Sequence, residues 1–300
     1  MTREPIGILH PGEMGISIAA TMQSSGHTVY WASDGRSAQT RARAQQFALH
    51  DTGTLANLCE ICPVIVSVCP PHAAEAVAAN VLAHGFRGTY VDANAISPER
   101  AGHMAERFTA VGASFVDGGI IGGPAWTPRS TYLYLSGSAA NAVARYFAAG
   151  PLETAVIGAS PGKASALKMC YAAWSKGTTA LLAAVLAAAE ALDVRADLEA
   201  QWALDGSELA EEAAPRLRRV TRKAWRFEGE MGEIADTFAG AGLPDGFHRA
   251  AAGVYRRLTG FKGRDELPPL DEVLEALLLP RDLTGLPRPV RSTGQEHGLT

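Results

Sequence analysis

Ile6-Gly7-Ile8-Leu9-His10-Pro11-Gly12-Glu13-Met14-Gly15 sets four strand-forming residues, a short turn and the start of an apolar helical run at the head of the chain. A dinucleotide-binding fold places its glycines at such a strand–turn–helix junction. One glycine lets the backbone approach a pyrophosphate, another lets the helix pack on the strand, and the helix N-terminus offers its amides to the phosphate. Two of the three fingerprint glycines are present, Gly12 and Gly15, while His10 occupies the first position. The stretch predicts a cofactor-phosphate loop made of His10, Pro11, Gly12, Glu13, Met14 and Gly15. The plainer alternative is an ordinary tight turn between a strand and a helix.

In such a fold the next strand, predicted at 28–31, ends at the group that reads the adenine ribose. An acidic residue there binds a 2′-hydroxyl, and a nearby arginine accommodates a 2′-phosphate. The chain offers Ser33-Asp34-Gly35-Arg36-Ser37. Ser33, Arg36 and Ser37 suit a 2′-phosphate through charge-assisted hydrogen bonds, whereas Asp34 suits the 2′-hydroxyl. The balance favours NADP(H) as cofactor and leaves NAD(H) open.

Further along, short apolar runs alternate with helical patterns, as in a parallel sheet wrapped by helices. Strands are expected at 6–9, 28–31, 64–68, 89–91, 114–116, 132–135 and 154–157, with helices at 14–25, 37–49 and 73–83. The last strands follow one another closely across a loop at 117–130, which predicts a partly antiparallel or mixed sheet. After Ser160 the pattern becomes helical, with a long helix from Gly162 to about Leu192 and further helices at 196–213, 215–241, 246–259 and 270–279. The fold class expected is an α/β Rossmann domain, doubly wound around a mostly parallel sheet, followed by an all-α domain joined through a long interdomain helix. The corresponding bounds are 1–160 for the NAD(P)-binding domain, 161–280 for a helical substrate and dimerisation domain, and 281–300 for a disordered tail.

Composition narrows the function. Hydrophobic residues make up 47% and charged residues 19% of 300, enough for a sizeable core. The formal net charge of −4 argues against a nucleic-acid partner, which favours a basic face. No apolar stretch is expected to reach the roughly 18 residues that span a bilayer, so no membrane partner is expected. The first residues lack a signal-peptide layout, which points to a cytoplasmic protein. Cys59 and Cys62 form a lone CxxC without the further ligands a structural zinc site requires. They are expected to be small apolar fillers, and no metal is expected.

Five segments together resemble the superfamily of β-hydroxyacid dehydrogenases, 6-phosphogluconate dehydrogenase and imine reductases, nearest to its bacterial phosphogluconate-dehydrogenase-like members. The 7–15 stretch is similar to the family's GFIGLGxMG, and Gly26-His27-Thr28-Val29 to its GHxV. Val68-Cys69-Pro70-Pro71 stands where the family's fourth strand delivers a loop against the cofactor, and Val91-Asp92-Ala93-Asn94-Ala95-Ile96-Ser97-Pro98 resembles VDxSTIxP. The stretch from Phe115 to Pro124 stands at the substrate loop, and Gly162 to Lys168 resembles the GxxxxxK that opens the interdomain helix. The resemblance implies an active site in the cleft between domains and a homodimer whose partner subunit often contributes to the site; residues 224–231 are a candidate for that contribution. It adds Cys69, Pro70 and Asn94 to the cofactor contacts and Ile121, Gly122 and Gly123 to the substrate contacts. Departures are equally plain. Ile121-Gly122-Gly123 replaces Ser-Gly-Gly, Lys168-Met169-Cys170-Tyr171-Ala172 replaces Lys-x-x-Asn-Asn, and Asn94-Ala95 replaces a hydroxyl pair. The substrate loop leans toward imine reductases, which typically lack the lysine retained here.

Hydride transfer to a carbonyl leaves an alkoxide that needs a positioned acid, and a lysine on a partly buried helix face can serve because burial lowers its pKa. Lys168 lies on an otherwise apolar helical segment, with Tyr171 and Ser175 at i+3 and i+7 on the same face. These three are the catalytic candidates, and Lys176 is the alternative lysine. His72 and His248 are secondary candidates, more often structural in such positions. The basic run Arg216, Arg218, Arg219, Arg222 and Lys223 reads as a solvated face or, less favourably, as a receiver for an anionic substrate. The function expected is NAD(P)H-dependent interconversion of a hydroxy acid-like alcohol and a ketone, a small-molecule substrate. Imine reduction and a non-catalytic dinucleotide-binding dimer are the alternatives.

Overall fold

The computed structural model describes residues 4–278. Eight strands form one sheet: β1 (Ile6–Leu9), β2 (Val29–Trp31), β3 (His50–Asp51), β4 (Val64–Ser67), β5 (Thr89–Asp92), β6 (Ser114–Gly122), β7 (Thr131–Ser136) and β8 (Leu152–Gly158). Their order is β3-β2-β1-β4-β5-β6-β7-β8. Every neighbouring pair is parallel except the antiparallel β6–β7. Strands β1 and β4 are buried along their whole length, as expected for parallel strands covered on both faces. Alternation sends Val66 to one core with Ile8, Ile16 and Met22, and Ile65 to another with Leu58, Tyr90 and Phe108. The strand order reverses between β1 and β4, so a crevice opens at their carboxyl ends.

The sheet is wrapped by α1 (Glu13–Ser24), α2 (Ala38–Gln46), α3 (Leu55–Ile61), α4 (Ala74–Ala83), α5 (Pro98–Ala110) and α6 (Ala140–Ala144). A helical region follows, comprising α7 (Lys163–Ala191), α8 (Arg195–Leu204), α9 (Leu209–Val220), α10 (Ala224–Gly240), α11 (Gly246–Arg257) and α12 (Leu270–Leu278). Its core gathers Leu186, Leu217, Met231, Ile234, Tyr255 and Leu274 around α7. The Rossmann sheet and the all-helical region are therefore both as the sequence predicts. The tail expected at 281–300 lies outside the described residues.

Two polar clusters join the parts, the first of them buried. Asp117, in the middle of β6, accepts hydrogen bonds from the backbone N–H groups of Gly162 (2.8 Å) and Ser165 (3.0 Å) and from the hydroxyls of Ser165 (2.6 Å) and Ser136 (3.0 Å). It thus caps α7, whose preceding Gly162 has φ 95°. A side chain at Gly119 would sit 2.5 Å from the Ala164 carbonyl, so the glycine is what lets α7 lie on β6. In the second cluster Arg100 pairs with Glu75 (2.9 Å) and Glu233 and donates to the Pro71 carbonyl (3.2 Å). Glu233 also accepts from the Ser97 N–H at 2.8 Å, so α10 is tied to the loop before α5.

Several boundaries differ from expectation. The stretch 117–122 is strand, because β7 pairs with β6 as far as Gly122↔Thr131. The two-residue β3 carries no apolar pattern and escapes a periodicity reading. Helices α8 and α9 separate at Gly206, which has φ 67°. The break expected near Pro215 falls after Val220 instead, because α9 carries Pro215 inside it. The 29-residue α7 also corrects the expectation about apolar length. Among the described residues it is long and apolar enough to cross a membrane, with a mean hydropathy of 1.3 in its best window, but 56% of that window is buried within the protein.

Candidate active site

The phosphate loop leaves β1 at His10, whose backbone is left-handed at φ 64°. That conformation favours glycine, which explains the fingerprint glycine that His10 replaces. A side chain at Gly15 would fall 2.6 Å from the His10 carbonyl, so the helix packs closely over the turn. Gly12 is the N-cap of α1 and brings no side-chain cap, so the first amides of the helix are left for a ligand. The His10 imidazole is mostly buried, its Nδ1 has no partner, and burial with the Arg36 charge lowers its pKa to about 4.

Two cavities flank this loop. The smaller, about 200 Å³, is lined by Leu9, Ala32, Leu55 and Val77 on its apolar walls and by His10, Asp34, Arg36 and Asn80 at its polar ones. It lies at the ends of β1 and β2, where an adenosine would stand. Arg36 and Asp34 both reach it, whereas Ser33 is buried and Ser37 serves as the N-cap of α2 by accepting from the Thr40 N–H. The sequence reading missed Leu55, Val77 and Asn80, which come from α3 and α4 and carry no ligand-binding pattern.

The larger cavity, about 290 Å³, is the cleft between the sheet's carboxyl end and the helical region. Glu13, Met14, Cys69, Asn94, Gly122 and Gly123 line its sheet side; Lys168, Tyr171 and Ser175 line the opposite side. The three catalytic candidates therefore share one wall of α7. Ile120 lines the cleft and Ile121 does not, because adjacent strand residues face opposite sides. Pro71 lines it in place of Pro70. A side chain at Gly122 would meet the Ser130 carbonyl at 2.4 Å, whereas one at Gly123 would meet nothing within 4 Å. Gly122 thus answers to the hairpin, and Gly123 stands open. Asn94 uses its side chain internally: its carbonyl accepts from the Cys69 N–H at 2.5 Å and its amide donates to Asp92 at 2.8 Å. It holds the β4 and β5 loops together beside the cleft. Burial raises the Asp92 carboxyl to about 7 and the Cys69 thiol to about 12.

Lys168 has no hydrogen-bond or ion-pair partner among the described residues, and burial followed by the charge of Lys176 lowers its pKa to about 8. Helix α10 of the same chain adds Arg226, Phe227 and Glu230, and the turn before it adds Lys223. Arg226, Phe227 and Glu230 belong to the segment 224–231 proposed from sequence as a partner's contribution; here they face the chain's own cleft. Glu230 ion-pairs with Lys176, whose ammonium lies over the Phe227 ring at 4.8 Å. The signal that marks Glu230 in the sequence is a carboxylate within the apolar stripe Phe227, Met231 and Ile234. The basic run divides: Arg216 binds Thr179 (2.7 Å) and Arg218 the Pro268 carbonyl (2.7 Å), while Lys223 reaches the cleft. His72 is exposed. His248 is buried against Phe238 at 4.2 Å, away from the cleft lining, and burial lowers its pKa. Cys62 is buried, and burial raises its thiol to about 12, as befits an apolar filler. No cluster of three or more metal-ligating side chains occurs among the described residues.

Residues 5–148 match the family model of the NAD binding domain of 6-phosphogluconate dehydrogenase, and residues 189–258 match a domain of unknown function (DUF1932). Among solved structures, the chain is similar to a conserved protein of unknown function with structural similarity to 3-hydroxyacid dehydrogenases. That likeness has 29% identity, a TM-score of 0.63 and coverage of 86% of this chain and 97% of that one. A Mycobacterium tuberculosis 3-hydroxyisobutyrate dehydrogenase solved with L-serine shares the fold at 18% identity and TM-score 0.68, covering 92% and 100%. A reductive aminase from Aspergillus terreus in complex with NADPH and ethyl levulinate shares it at 18% identity and TM-score 0.53, covering 91% and 99%. No curated protein matches the sequence.

Proposed function

We propose that the protein, whose residues 5–148 match the family model of the NAD binding domain of 6-phosphogluconate dehydrogenase, is an NAD(P)H-dependent oxidoreductase that interconverts a hydroxy acid-like alcohol and a ketone at the cleft. The observation that carries this reading is the unpaired, desolvated Lys168 on the helical wall, facing Gly123 and the α1 N-terminus across about 290 Å³. A nicotinamide dinucleotide fits the residues present: the uncapped N-terminus of α1 for its pyrophosphate, and the smaller cavity with its orphaned His10 Nδ1 and Arg36 for its adenosine end. In this reading residues 1–160 hold the cofactor and 161–280 build the substrate side.

The bound dinucleotide supplies or accepts the hydride. Lys168, as the ammonium, donates a proton to the substrate oxygen during reduction, and as the amine takes it back during oxidation. Tyr171 and Ser175 continue the polar row along α7 and orient the substrate. Four cations line the cleft, Lys168, Lys176, Lys223 and Arg226, against the carboxylates Glu13 and Glu230, a balance that favours an anionic substrate. At the adenosine end Arg36 favours NADP(H).

The proposal includes a cytoplasmic homodimer. Leu167, Tyr171, Trp174 and Leu181 of α7, with Leu192 just past its end, are exposed along one stripe, at successive spacings of four, three, seven and eleven residues, as one helix face requires. A second copy covering that stripe would adjoin the cleft through Tyr171.

Imine reduction is the second reading, favoured by Tyr171 standing in the cleft as another proton donor and by the likeness in fold to a reductive aminase. The test is NADPH consumption across oxo acids, neutral ketones and cyclic imines. Turnover of oxo acids is expected; turnover of imines alone would select the second reading. NADPH binding with no turnover of any class would leave only a dinucleotide-binding dimer.

A further inference from the structure

The cleft contains two lysines and a carboxylate that no substrate-free account of proton transfer uses together. Lys168 and Lys176 are eight residues apart on α7, about 80° round the helix, yet both line the cleft. Glu230 approaches from α10 and pairs with Lys176 alone; the two side chains are only 12% and 6% exposed. Lys176 is held from several sides. Its ammonium lies over Phe227, the Tyr255 hydroxyl donates to its carbonyl at 2.8 Å, and Arg216 donates to the Ser175 carbonyl at 3.3 Å. A buried ion pair repays its desolvation poorly compared with an apolar contact of similar size, so fastening α10 to α7 does not by itself account for it.

We propose that Glu230 and Lys176 are positioning residues that determine which of the two lysines is free: Glu230 engages Lys176 and leaves Lys168 as the unpaired amine facing the substrate. The inference rests on the reading of Lys168 as the proton-transfer group. Glu230 also acts on Lys168 through space, favouring its ammonium, while Lys176 and Arg226 favour its neutral form. The other polar and titratable groups lining the cleft with Lys168 are Tyr171 and Ser175 on α7, Lys223 before α10, Glu13 on α1, and Cys69 and Asn94 from the β4 and β5 loops. Removing Glu230 and removing Lys176 must therefore move the Lys168 titration in opposite directions. A pair that only fastens α10 to α7, too far from Lys168 to act on its charge, would not produce that sign change.

The experiment is competitive acetylation of the full-length protein with trace acetic anhydride across pH, reading Lys168 by mass spectrometry. This follows the neutral amine directly and needs no substrate. Glu230→Gln should move the Lys168 midpoint down by roughly one pH unit, the scale of one charge at close range in a partly solvated site. Lys176→Met should move it up by a similar amount, and Lys176→Arg, which preserves the pair, should leave it near the wild-type position. NADPH binding and thermal unfolding of each variant check that it is folded; should Glu230→Gln not fold, the Lys176→Met and Lys176→Arg pair carries the test. Coincident Lys168 titrations in wild type and Lys176→Met, or shifts of one sign in both charge-removing variants, would overturn the inference. Its failure is separable from that of the parent reading, which is tested by whether Lys168→Met retains turnover.

Discussion

Lys168 shows how far a single residue carries the account. Its burial lowers its pKa to about 8, so the ammonium needed for reduction predominates below that pH and is lost above it. Ketone reduction is therefore expected to fall as pH rises through about 8, and alcohol oxidation to rise over the same range; matched kcat/KM profiles in the two directions check this. At the cofactor's other end, Arg36→Ala should weaken NADPH by roughly 10- to 150-fold while leaving NADH nearly unchanged, the worth of one charged hydrogen bond. Titration calorimetry with both dinucleotides decides it, and equal losses would transfer the ribose to Asp34. Lys168, Tyr171, Ser175 and Arg36 were legible in the sequence because each follows a motif or a helix repeat. Glu230 was named only within 224–231, and its pairing with Lys176 was not legible, since its partner lies on another helix and only the packing of α10 on α7 brings them together.

At the scale of elements, seven of the eight strands and a partly antiparallel sheet followed from apolar runs and their spacing, whereas the strand order and the element ends did not. The length of β6 depends on what β7 offers it, and Gly122 accommodates the hairpin through a backbone approach that no local pattern announces. The Asp117 cap is the same lesson in reverse. A carboxylate in a strand reads as a substrate-loop residue, but here it organises the first turn of α7 from 45 and 48 residues away. Asp117→Ala would leave two backbone donors and two hydroxyls without their acceptor, each unmet buried group costing about 1–3 kcal/mol. A loss on the order of 3 kcal/mol or more is expected in urea unfolding, with the slope unchanged. Asp117→Ala with wild-type stability would mean that α7 is seated by apolar packing alone.

For the whole molecule, the change from alternating strands and helices to continuous helix was visible as a change of periodicity after residue 160, and it remains the plainest feature of the fold. What the sequence could not show is that the second part supplies so many charges to the first part's crevice. The stripe on α7, with Trp174 74% exposed, predicts a dimer at micromolar concentration in light scattering; Leu181→Asp should shift it to monomer, and a wild-type monomer would refute the assembly. The central claim is that the cleft performs hydride transfer with Lys168 as its proton carrier. The most direct test is steady-state NADPH oxidation by Lys168→Met with an oxo acid that the wild type reduces. The account predicts turnover lower by roughly 10²–10⁴, the usual worth of a positioned acid, with NADPH affinity and thermal stability intact. Turnover at the wild-type rate would contradict it.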